Sequence, residues 1–156
     1  MLLNALSRFK PCPLLVGILV LFLNIWLIPL SMAAAKLKPL TIQEVISINF
    51  GVLVAEDGIC TMSSGGVLSG SNGQTCSGVQ TPAQFTVGGS NNRNVIIGVT
   101  SGSASGVTFN PVVDGPSLIT LSGGGSIDVL VIGDLVVSNA AQGAIQVPYT
   151  FSVNYE

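Results

Sequence analysis

Few side chains in this chain can do acid–base, nucleophilic or metal chemistry. None of the 156 residues is histidine, so the usual general base and the commonest metal ligand are missing. The carboxylates are seven: Glu44, Glu56, Asp57, Asp114, Asp128, Asp134 and Glu156. Glu56 and Asp57 are adjacent, so on a strand they point to opposite faces, whereas carboxylates that share one substrate must converge within a few ångströms. With Gly58 they read as a solvated turn. Asp128 and Asp134 flank apolar residues at a spacing that matches no calcium loop, and their expected role is charge that protects a sheet edge. No Gly-x-Ser-x-Gly elbow and no P-loop lysine is present. We therefore expect no catalytic residues, no metal and no cofactor.

The cysteines are Cys12, Cys60 and Cys76, and their reading depends on compartment. Arg8 and Lys10 precede an uncharged apolar run over residues 13–30, which is followed by Ser31 and the small residues Ala33, Ala34 and Ala35. This is the three-part layout of a secretory signal peptide, residues 1–33, with cleavage after Ala33 or after Ala35. Cys12 leaves with it. Cys60 and Cys76 then remain as an even pair in an exported chain, which reads as a disulfide. Closing a loop of that size contributes roughly 3 kcal/mol by loss of unfolded-state entropy. Two cysteines without histidine do not make a zinc set.

After the signal, the acids face only Lys36, Lys38 and Arg93. An acidic surface with no basic run excludes nucleic acid, and the membrane is engaged only through the signal segment. Residues 34–156 suit one domain with one core.

The elements that must position these groups are strands. Ile46, Ile48 and Phe50 alternate; Phe85 and Val87 follow Pro82; residues 94–100 place Val95, Ile97 and Val99 on one side. Val107 and Phe109, residues 118–121, and the long apolar stretch 127–137 come next. Gly, Ser, Asn and Pro separate them at intervals of about 8 to 12 residues, and Asn72-Gly73 is a tight-turn signal. No segment after the signal has a sustained helical period, so the crossovers that a parallel sheet needs are not available. The pattern predicts an all-β antiparallel sandwich.

The longest regular pattern is at the C-terminus. Gly143, Ile145, Val147, Tyr149, Phe151, Val153 and Tyr155 alternate with Ala144, Gln146, Pro148, Thr150, Ser152, Asn154 and Glu156. One face goes to a core and the other to water. Read as one strand it spans about 40 Å, and Pro148, which has no amide hydrogen, argues that one of its sides is an edge.

The runs Leu40-Thr41-Ile42, Ile48-Asn49-Phe50-Gly51, Thr81-Pro82-Ala83-Gln84-Phe85-Thr86-Val87 and Tyr149-Thr150-Phe151-Ser152-Val153-Asn154-Tyr155 resemble the secreted bacterial domain of unknown function 4402. That family is itself similar to the pilins assembled by the chaperone–usher route. The pilins tend to carry an aromatic residue at the penultimate position, a glycine fourteenth from the end and one disulfide in the first half of the domain. Here the matching residues are Tyr155, Gly143, and Cys60 with Cys76. The resemblance implies an immunoglobulin-like sandwich short of its last strand. It also implies that the strand from Gly143 to Tyr155 accepts a strand from a periplasmic chaperone, then from the next subunit after passage through an outer-membrane usher. It implies self-association into a fimbrial fibre at the cell surface.

The donor is expected in an N-terminal extension, residues 34–45, ahead of a sandwich domain at 46–156. Leu40 and Ile42 share a face and are the candidate donor positions; Leu37 is out of phase with them, and Pro39 withholds a ladder bond. The alternative is that these residues form the first strand of a complete secreted β-domain that binds a protein or a glycan.

Overall fold

A computed structural model describes residues 36–54 and 56–156, and Leu37–Glu156 forms one compact unit. The expected signal peptide and cleavage site lie outside the described residues. Among the described residues there are twelve strands and no helix: β1 Thr41–Ile46, β2 Val52–Leu53, β3 Gly58–Met62, β4 Leu68–Ser71, β5 Cys76–Ser77, β6 Ala83–Gly88, β7 Asn94–Thr100, β8 Gly102–Ala104, β9 Val107–Val113, β10 Leu118–Thr120, β11 Ser126–Val137 and β12 Thr150–Tyr155.

All pairings are antiparallel. The larger sheet has seven strands and is organised around β11. Val131 pairs with both Ala83 of β6 and Val113 of β9, while Gly133 pairs with both Met62 of β3 and Pro111 of β9. Each residue of a strand has one partner per edge, so β6 and β3 follow one another along one side of β11 and β9 takes the other. Gly133 has a positive φ, and a Cβ there would collide with the Asn110 carbonyl, so only glycine lets β9 approach this closely. β1 adds to the outside of β6, β4 to β3 and β8 to β9. A smaller sheet runs β10-β7-β12, and β2 pairs with β5 as a short ribbon.

Alternation explains the layers. Val129, Val131, Leu135 and Val137 of β11 are buried on one face while Asp128 is exposed on the other. Phe85 and Val87 of β6, Val107 and Phe109 of β9, and Cys60 and Met62 of β3 join the same buried side. Against them the smaller sheet sets Val95 and Ile97 of β7 with the half-buried Phe151, Val153 and Tyr155 of β12. The fold is all-β, antiparallel and sandwich-like, with side chains of the two sheets meeting between them. Turn chemistry agrees with the sequence: Asn72 and Gly73 both have positive φ, the conformation that an Asn-Gly turn supplies at low cost.

β1, which begins within the expected N-terminal extension, pairs with β6 from Thr41↔Gly88 to Ile46↔Gln84. Two expectations are corrected. Asp134 is flanked by Thr61 of β3 and Asn110 of β9 and guards no edge; Asp128 stands where β11 pairs with β6 alone, and accepts hydrogen bonds from Thr86 Oγ1 at 2.6 Å and Gln84 Nε2 at 3.2 Å. The C-terminal strand is Thr150–Tyr155, so residues 143–149 are not part of it.

Candidate functional site

The alternation read at the C-terminus continues upstream of β12 even though the ladder does not. Ile145, Val147 and Tyr149 are half-buried, and Ala144, Gln146 and Pro148 between them are exposed. Gly143, at φ 127°, is exposed and stands at the bend before this run. Residues 144–149 thus turn one face inward, yet among the described residues they belong to no strand ladder. Ile145, Val147, Tyr149 and Phe151 rest on the cluster that includes Phe50, Phe85, Phe109, Val131 and Leu135, and the Pro148 carbonyl lies against Gly102 of β8. β12 is paired with β7 only, and its other edge carries no strand among the described residues.

Upstream of β12, beside residues 140–149, is a groove of about 840 Å³. One wall is Glu44 and residues 47–54; the other is residues 140–147 with Tyr149; Val107, Phe109, Leu135 and Val137 form the floor. The Phe50 and Tyr149 rings meet the Phe109 ring edge-on, with centroids 5.4 Å and 5.3 Å away. Tyr155, the last residue of β12, donates its hydroxyl to the Lys38 carbonyl at 2.7 Å, just ahead of β1.

Two further constraints shape the walls. The Cys60–Cys76 disulfide forms as expected, with Cα atoms 6.1 Å apart. Because Cys76 pairs with Leu53, it ties the wall carrying Leu53 to β3 of the large sheet. Asp57 accepts a hydrogen bond from the Asn139 amide at 2.7 Å, which steadies the rim at Ala140 and Ala141. Asp57 was read only as a solvated turn; a carboxylate reaching 82 residues along the chain has no local sequence signal.

Glu44 is the one charged residue among those lining the groove. The Tyr149 hydroxyl is buried with no hydrogen-bond partner among the described residues. Burial first, and then the negative charge of Glu44, push its phenol from 10.0 up to about 12. A neutral, unpartnered donor in an apolar slot suits an incoming carbonyl better than an anion.

The candidate donor residues are not free. Ile42 lies on β1 opposite Val87, and Leu40 packs with Val87, Leu121 and Tyr155. The structure brings Tyr149, Ile145 and Val147 to the groove, places Phe151, Val153 and Tyr155 between the sheets, and leaves Gly143 at the rim. Sequence reasoning missed the wall at residues 47–54, whose alternating apolar residues look like one more strand. Compared with family models, with curated proteins and with solved structures, the chain matches none.

Proposed function

We propose that this protein is a non-catalytic structural subunit of a bacterial surface fibre, assembled by strand addition between subunits. The observation that carries this reading is the run 144–149, which is alternately half-buried and in no strand ladder, with Pro148 lying against Gly102 of β8 on one side. Such a backbone offers its amides and carbonyls to an added strand, and the apolar floor beneath takes alternate side chains. In this reading the sandwich is immunoglobulin-like and short of its last strand. The groove accepts a segment of a periplasmic chaperone during export, and then the N-terminal segment of the next subunit as an outer-membrane usher passes the chain to the cell surface.

Because β1 pairs with β6 in its own molecule, the donated segment lies ahead of Lys38, or β1 leaves β6 when it donates. The test adds a synthetic peptide of residues 34–46 to the exported chain. The expected result is a raised melting temperature together with a ladder of multimers in unboiled gels. A cooperatively folding monomer that neither gains stability from the peptide nor forms a ladder removes the reading.

A second reading, a self-contained secreted β-domain that binds a protein or a glycan, is favoured by one observation, the in-molecule pairing of β1. Saturable ligand binding by that monomer supports it.

A further inference from the structure

Three groups just ahead of the Thr41 end of β1 bond to one another in a ring. The Lys38 amide donates to Ser90 Oγ at 2.7 Å, the Ser90 amide donates to the Tyr155 hydroxyl at 2.6 Å, and the Tyr155 hydroxyl donates to the Lys38 carbonyl at 2.7 Å. Gly89 lies against the ring, where a Cβ would collide with Leu121, Leu40 and the Tyr155 hydroxyl. The ring therefore binds the chain just ahead of β1 to the end of β12 and to the connection between β6 and β7. Leu37, the next residue outward and the first of the compact unit, is 43% exposed.

What the ring restrains is weakly held otherwise. All six residues of β1 are exposed, its register is broken between Glu44 and Ile46, and it has a ladder on one side only. An edge strand with so little burial opens at low cost. A pull on Leu37 reaches the ring before it reaches β1. The groove, the other place where a neighbouring subunit would hold this one, is lined by Glu44 and Ser47 at the opposite end of β1.

We infer that the Lys38–Ser90–Tyr155 ring is a tension clamp that passes a pull on the N-terminal segment into the C-terminal strand. Its use in a fibre rests on the strand-addition reading; its mechanics are a property of the single folded chain. With the ring closed, load is shared between β12 and the β6–β7 connection. With it open, β1 alone carries the load and peels.

The test is single-molecule pulling on the folded chain in a Cys12→Ser background. Handles at Leu37→Cys and Gln146→Cys load the ring; handles at Val79→Cys and Val112→Cys load β6, β11 and β9 without it. Tyr155→Phe keeps the ring of the side chain and deletes both bonds of its hydroxyl. The expected result is an unfolding rate under force raised at least tenfold along the first axis and changed less than twofold along the second. Equal effects on both axes mean that Tyr155 only stabilises the fold, and no effect on either means that the bonds carry no load; each overturns the clamp. A chain that remains monomeric but shows the directional effect keeps the clamp and loses the fibre, so the two failures are distinguishable.

Discussion

The rings of Phe85 and Phe151 lie 4.2 Å apart and within 10° of parallel. Phe85 belongs to β6 of the seven-stranded sheet and Phe151 to β12 of the three-stranded sheet, so this stack joins the two layers. It is also where the two apolar clusters meet, because Phe151 packs against both. Residues 145–149 lie on one side of it, over the groove, and Val153 and Tyr155 lie on the other.

Phe85 is 7% exposed, and its removal leaves a cavity between the sheets. Phe85→Ala is expected to destabilise the fold by about 3–5 kcal/mol and the half-buried Phe151→Ala by about 2–3 kcal/mol. The two losses are coupled by about 1 kcal/mol, as for other stacked pairs. Urea denaturation of the two single variants and the double variant measures all three quantities.

Tyr149 makes a prediction about alkaline pH. Its phenol is raised in the folded chain to about 12 from 10.0, so the folded state resists ionisation that the unfolded state permits. The contribution is fully present below pH 10 and is lost as pH rises toward about 12. Tyr149→Phe removes this pH dependence. At neutral pH the same substitution deletes a buried hydroxyl that has no partner, and stability is expected to stay level or rise by about 1 kcal/mol. Denaturation midpoints of both chains at pH 7 and pH 11 check the sign.

The legibility of this chain in its sequence follows the range of the forces involved. The strands, the turn at Asn72 and Gly73 and the alternation from Ile145 to Tyr155 are set by local periodicity, and their positions were readable. Where the last ladder begins was not, because side-chain alternation at residues 144–149 is the same whether or not a neighbouring strand supplies hydrogen bonds. The role of β1 was hidden for a related reason: the sequence of Leu40 and Ile42 suits a strand, and pairing with β6 or with another molecule is decided by tertiary contact. The Glu44–Tyr149 proximity and the Asp57–Asn139 bond join distant segments, so neither has a sequence signature.

The disulfide is expected to act on the groove as well as on the fold. Cys60 is fully buried and Cys76 pairs with Leu53 on the groove wall. Replacing both cysteines by alanine is expected to cost about 3 kcal/mol. Hydrogen exchange should rise most at residues 52–54 and 75–77, where the short β2–β5 ribbon loses its tie to β3. Uniform acceleration across the whole chain is the contrary result and would mean that the bond serves only global stability.

The groove reading depends on side chains that the free fold needs little. Ile145 and Val147 are half-buried and belong to a segment that has no ladder, so an aspartate at either position still reaches solvent through the open side. Ile145→Asp and Val147→Asp are therefore expected to cost the free chain no more than about 1–2 kcal/mol. In a strand-filled groove the same carboxylate is covered with no cation facing it, and burying an unpaired charge is far more expensive. Uptake of the residue 34–46 peptide should fall at least tenfold in both variants, measured by anisotropy of a labelled peptide. Gln146→Asp places the same charge on the exposed face of the same segment and should leave uptake within about twofold. If all three substitutions act alike, net charge and not the apolar face governs binding, and the groove between Glu44 and Tyr149 is not the seat of the added strand.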